Sequence, residues 1–159
     1  MRTITPCLWF DTQAEEAARF YTSVFKDSRI IDVSYYGEAG PREDDLVLTV
    51  RFALGEQEYL ALNGGPEFTF TEAVSLMIDC EDQAEVDYYW DALLADGGEP
   101  SQCGWLKDKY GFSWQVTPRR LMELMSDPDQ GRRERTMAAM MTMAKIDVAA
   151  LERAADTPS

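Results

Sequence analysis

This sequence contains no histidine. That absence removes Ser-His-Asp and Cys-His nucleophile activation, His-ligated zinc, and the two-histidine-one-carboxylate iron site. Any chemistry must draw on Glu, Asp, Tyr, Lys, Cys or side-chain amides. Cysteine is scarce too. Cys7, Cys80 and Cys103 are odd in number, widely spaced, and form no CxxC or zinc pattern. They read as reduced, buried thiols. Positive charge is short, with 15 Lys and Arg against 29 Asp and Glu and a formal net charge of −14. Such a field repels nucleic acid and anionic lipid, which bind through Lys and Arg. The densest basic stretch, residues 132–135, is diluted by Asp127, Asp129 and Glu134. Neither nucleic acid nor a membrane is therefore an expected partner. No apolar run approaches the roughly 18–20 residues of a membrane span. The opening "MRTITPCLWF" lacks the apolar stretch and cleavage site of a signal peptide. A cytoplasmic location is expected.

What the chain does have is a repeat. "CLWFDTQAEEAARFYTSVF" (7–25) reads as an apolar strand followed by a helix. Thr12 and Glu15 have capping-box spacing. Ala14, Ala17, Ala18, Tyr21, Val24 and Phe25 then fall on one helical face. "LMIDCEDQAEVDYYWDALLADGG" (76–98) has the same order of parts, about 70 residues on. Asp82 and Glu85 start its helix, Val86, Tyr89, Trp90, Leu93 and Leu94 form its apolar face, and Gly97 or Gly98 ends it in the left-handed conformation.

Strands follow each helix. After the first come 29–37, 46–54 and 58–65, with Gly55 in a hairpin turn. After the second come "EPSQCGWLKD" (99–108), with a strand around 101–104, and "FSWQVTP" (112–118), joined through the turn "DKYG". Each half reads β-α-β-β-β. Asn63-Gly64-Gly65-Pro66 is the seam, where glycine supplies a sharp turn and proline stops the ladder. The predicted class is α+β: two βαβββ modules, 1–66 and 67–118, with mixed sheets facing a central cleft. Residues 119–159 form a helical extension with breaks near Asp127-Pro128 and Lys145, Asp147 as a cap, and a frayed "DTPS" end. Six of the eight methionines lie in this extension. They read as core or as a subunit interface.

At these residues the chain resembles the vicinal oxygen chelate superfamily of glyoxalases, bleomycin-resistance proteins and extradiol dioxygenases. Within it, the resemblance is to the PhnB-like group, often labelled 3-demethylubiquinone-9 3-methyltransferase. The matching stretches are "ITPCLWFDTQAEEAARFYTSVF", "YGEAGP", "LALNGGPEFTF", "CGWLKDKYGFSWQVTP" and "MMTMAKIDVAALERA". The resemblance implies paired modules around a small-molecule cleft and a homodimer. Enzymes of the superfamily hold a divalent metal with His and Glu from the first and last strands of each module.

Strand alternation tests those positions. Tyr59, Ala61 and Asn63 share one face, as do Ser113, Gln115 and Thr117. The bulkier opposite faces, Leu60 with Leu62 and Phe112 with Trp114 and Val116, are predicted to meet the helices. Asn63 and Gln115 then occupy comparable places, as neutral amides where metalloenzymes carry Glu or His. Relatives carry His where this chain has Glu67. No metal and no cofactor are expected.

The candidate ligand-binding residues are Asn63, Glu67, Gln115, Trp9, Trp105 and Tyr36. Each has a structural alternative. Asn63 either contacts a ligand or stabilises the seam, and Glu67 is either a cleft acid or a solvated charge. Gln115 serves a ligand or a cross-strand bond. Trp9 and Trp105 stack on a ligand or fill core. One of Tyr35 and Tyr36 gates the cleft while the other packs. The expected function is small-molecule binding without an intact metal site, the reaction being open. Alternatives are an isomerase, lyase or dioxygenase using an oxygen-ligated metal or Glu67 as base, a structural dimer, and the methyltransferase of the label. The last lacks the glycine-rich strand-turn-helix of a doubly wound nucleotide site.

Overall fold

The computed structural model describes residues 2–158. The chain divides into two compact units, Met1–Phe70 and Thr71–Ser159, and each is described by itself. Among the described residues no helix is long and apolar enough to cross a membrane.

The first unit runs β1 (Cys7–Phe10), α1 (Ala14–Val24), β2 (Ser28–Tyr35), β3 (Val47–Leu54) and β4 (Gln57–Asn63). Its sheet has the order β1-β4-β3-β2. The β1–β4 pair is parallel and the others antiparallel. Ala14, Ala17, Ala18, Tyr21 and Val24 are the buried face of α1, as the period predicts. That face is mostly alanine, so bulk must come from the sheet. Phe52 stacks on Tyr59 at 5.4 Å and meets Tyr21 at 6.1 Å between ring centroids. Burying each such ring stabilises the fold by about 1.5–3 kcal/mol.

This packing reverses the predicted faces of β4. Tyr59, Ala61 and Asn63 turn toward the helix and are buried, while Leu60 and Leu62 stay partly exposed on the other side. Side-chain size does not choose the face here. The small residues of α1 leave a space that tyrosine fills. The predicted cap of α1 also differs. Gln13 is the N-cap, with no capping bond from its own or Thr12's side chain. Asn63, 49 residues away, accepts from the Ala14 N–H instead, at 2.8 Å.

The second unit runs β5 (Ser75–Cys80), α2 (Gln83–Leu94), β6 (Glu99–Pro100), β7 (Trp105–Lys107) and β8 (Ser113–Pro118). Its sheet order, β5-β8-β7-β6, reproduces the first, again with one parallel pair. The predicted repeat is thus present in both elements and connectivity. Asp82 caps α2 by accepting from the Glu85 N–H at 3.0 Å, and Glu85 reaches back to the Glu81 N–H at 2.7 Å. Asp96 takes the left-handed conformation after α2, and Gly97 follows at φ +120°. Here the predicted faces hold: Trp114 and Val116 are buried, with Val86, Trp90 and Leu93 of α2 also buried.

Residues 101–104 are not a strand. Cys103 and Gly104 take φ +58° and +83°, which breaks the extended backbone. Their N–H groups leave the ladder and donate to the carbonyls of Met143 and Ala144, both at 2.8 Å.

Three helices complete this unit: α3 (Arg119–Met125), α4 (Gln130–Met140) and α5 (Val148–Asp156). The breaks fall where proline and the Asp129 and Asp147 caps place them. Leu121, Leu124, Ile146, Leu151 and Ala155 form their core, with Met125, Met140 and Met143 against it. Gln83 fastens this core to α2. Its side chain donates to the Ile146 carbonyl at 3.0 Å and accepts from the Val148 N–H at 2.8 Å. At the predicted frayed end, Asp156 is still helical and pairs with Arg132; Ser159 lies outside the described residues.

Candidate functional site

Four of the six candidate residues gather at the seam of the first unit. Asn63 uses both ends of its amide on backbone: Oδ1 accepts from Ala14, and Nδ2 donates to the Val47 carbonyl at 2.9 Å. Trp9 Nε1 donates to the Gly65 carbonyl at 2.8 Å. The Tyr36 hydroxyl donates to the Asn63 carbonyl, whereas neighbouring Tyr35 is exposed. Glu67 is exposed, its carboxylate lying over Gly65. The seam needs its glycines. A Cβ on Gly64 would stand 2.4 Å from the Trp9 ring, and Gly65 has φ +116°. Phe68 and Phe70 then pack edge-on against Trp9 and Phe10. The loop before β3 is also tied down, because Arg42 donates to the Asp11 carbonyl at 2.6 Å and pairs with its carboxylate at 3.1 Å. The three hydrogen-bonding side chains and the two glycines make the seam a backbone latch.

The other two candidates share the open, helix-distant face of the second sheet. Directly paired residues lie on one face of a sheet. The register pairs Trp105 and Met77 with Gln115, Lys107 and Ser75 with Ser113, and Glu99 with Lys107. Asn63 and Gln115 are therefore not equivalent. Asn63 pairs with Phe10 beside the helix, as Pro118 pairs with Cys80; Gln115 instead matches Leu60, since Cys7 pairs with Leu60 as Met77 does with Gln115. Gln115 Nε2 donates to Ser75 Oγ at 2.9 Å. Its Oε1 has no partner among the described residues.

Beside this face lies a cavity of about 160 Å³ lined by Glu72, Glu99, Trp105, Lys107 and Ser113, among others. Ser113 is 1% exposed, and its Oγ is the buried side-chain oxygen that finds no hydrogen-bond partner among the described residues. Lys107 Nζ pairs with Glu72 at 2.6 Å. That hydrogen bond holds the Glu72 carboxyl below its ordinary value and raises the Lys107 ammonium. Sequence reading placed Ser113 on this face but did not single it out. The available signal was a small hydroxyl residue between two large aromatics in "FSW". It also missed Asp108, 2% exposed. One of its oxygens accepts from the Tyr110 and Phe112 N–H groups at 2.9 and 3.1 Å, and the other from Trp114 Nε1 at 2.8 Å.

The metal of the superfamily's enzymes does not fit these residues. The Asn63 amide is committed to backbone and faces the helix, and Gln115 offers a single carbonyl beside Met77 and Trp105. Among the described residues no group of three or more His, Cys, Asp or Glu is placed to hold a metal ion. Burial, helped by Glu85 and Asp79, pushes the Cys80 thiol up to about 12, away from the thiolate that nucleophilic attack needs.

Two four-stranded βαβββ sheets of identical order define an α+β protein of the vicinal oxygen chelate kind. The family model described as 3-demethylubiquinone-9 3-methyltransferase matches residues 2–117. The PhnB protein from Bacillus cereus is 39% identical over 74% of this chain and 99% of its own, with a TM-score of 0.67. A Pseudomonas aeruginosa protein shares the fold, with 19% identity over 74% of this chain and 98% of its own, and a TM-score of 0.62. No match was found among curated proteins. The chain belongs to this family, the PhnB-like group of the vicinal oxygen chelate superfamily.

Proposed function

We propose that this protein binds a small organic molecule in the cavity beside the open face of its second sheet, without a metal. Ser113 carries the reading. A buried hydroxyl without a partner costs about 1–3 kcal/mol, and such exceptions call for a reason. A ligand polar atom at Oγ supplies one. Trp105 gives the cavity a flat wall, and Gln115 holds a free carbonyl on the same face. In this proposal Trp105 and Gln115 contact the ligand, while Asn63, Trp9 and Tyr36 hold the seam. Three free cysteines suit a reducing compartment such as the cytoplasm.

The test is a thermal-shift screen of small aromatic compounds on the full chain and on Ser113→Ala. A ligand at 100 times its Kd adds about 2.7 kcal/mol, a rise on the order of 5–10 °C for a chain this size. Ser113→Ala is expected to keep or raise the ligand-free Tm, since it removes only an unsatisfied group, and to lose most of the shift. Equal shifts in both proteins would remove the cavity as the site.

We also propose a homodimer. Met122, Met137 and Met141 are 52%, 41% and 60% exposed, and such surfaces mark association sites. Sedimentation velocity is expected to give twice the chain mass; monomer alone at micromolar concentration would end this proposal.

A further inference from the structure

Resting on the cavity just described, we infer that its ligand is a flat organic cation, an aryl-substituted ammonium or amidinium. Three features converge on that class. The first is charge. Lys107 is already paired with Glu72, whereas the Glu99 side chain, opposite Lys107 in the ladder, acts on it through space only and makes no hydrogen bond or close ion pair among the described residues. Two carboxylates against one ammonium leave the cavity net negative, within a chain of net charge −14. An anionic ligand meets repulsion from both ranges, and a cation meets attraction.

The second is the wall. Trp105 is the aromatic side chain in the lining, and indole is the best of the aromatic faces for an organic cation. The third is the orphan hydroxyl. Ser113 Oγ has two lone pairs to accept an N–H. Neutral apolar ligands leave it unsatisfied, and ligands with acceptors only leave Glu99 unanswered. Size sets the scale: cavities of roughly 150 Å³ hold a single benzene-sized ring, and this one is about 160 Å³.

The experiment titrates the full chain with benzylamine, benzyl alcohol and benzoate, which share one ring and differ in charge at pH 7. Binding is read by calorimetry and by proton NMR of the ligand, in wild-type protein, Glu99→Gln and Ser113→Ala. Glu99 is exposed, so its substitution leaves folding intact. Benzylamine is expected to bind at least tenfold more tightly than benzyl alcohol, with benzoate weaker still. Glu99→Gln is expected to weaken benzylamine about tenfold and leave benzyl alcohol unchanged; Ser113→Ala is expected to weaken both. Benzyl alcohol or benzoate binding as tightly as benzylamine, with sensitivity to Ser113→Ala retained, overturns the cationic class and leaves the cavity standing. Absence of binding by all three probes, or binding indifferent to Ser113→Ala, overturns the class and the cavity together.

Discussion

Asn63→Ala is expected to destabilise the protein by about 2–4 kcal/mol, the lower part of the range for two backbone groups left unpaired at about 1–3 kcal/mol each, because one of them is only partly buried. The groups are the first N–H of α1 and the carbonyl of Val47, which the amide now bridges at 2.8 and 2.9 Å. At roughly 2–4 °C per kcal/mol for a chain of this size, Tm falls by roughly 4–16 °C. Urea denaturation checks it, with the midpoint lowered and the slope unchanged. Asn63→Asp separates the two bonds. It keeps an acceptor for Ala14, where an anion also suits a helix start, and it loses the donor to Val47. An intermediate loss is expected. If Asn63→Ala unfolds at the wild-type midpoint, the bridge does not stabilise the first unit.

Asp108→Ala is expected to cost more, about 3–5 kcal/mol, because a charged acceptor is removed from buried donors. Three donors lose this acceptor: the partly buried Tyr110 amide and the buried Phe112 amide and Trp114 indole. The first two shape the turn into β8, and the third fixes the buried Trp114 ring on that strand. Indole fluorescence and near-UV circular dichroism report on that ring, and both are expected to change before the global transition. Asp108→Asn retains one carbonyl acceptor and is expected to recover about half of the loss. A near-wild-type midpoint for Asp108→Ala would show that solvent replaces the carboxylate, against its 2% exposure.

How much was legible follows from what each feature depends on. The α1 core face and the Asp82 and Asp147 caps depend on residues within four positions, and the sequence pattern places all of them. The predicted Thr12–Glu15 box failed although its spacing was right. A distant amide takes the Ala14 N–H at the start of the helix instead, and no local pattern carries that information. The β8 faces followed residue size, while β4 reversed because α1 presents alanines and leaves room for Tyr59. Alternation singled out Gln115, and Trp105 was named for its aromatic ring alone. Ser113 was not singled out, because what distinguishes it is a missing partner among the described residues, and only assembled neighbours reveal that.

The amino-acid order alone determined the duplicated βαβββ plan, the acidic surface and the loss of imidazole chemistry. These rest on periodicity and composition, which survive without coordinates. Tertiary structure decided which side of β4 meets its helix, that Asn63 closes the start of α1, and that one serine hydroxyl stands buried beside Trp105 and Lys107 without a partner among the described residues. Each of those is settled by what the rest of the chain leaves unfilled or unpaired, a quantity that exists only once the strands are in register.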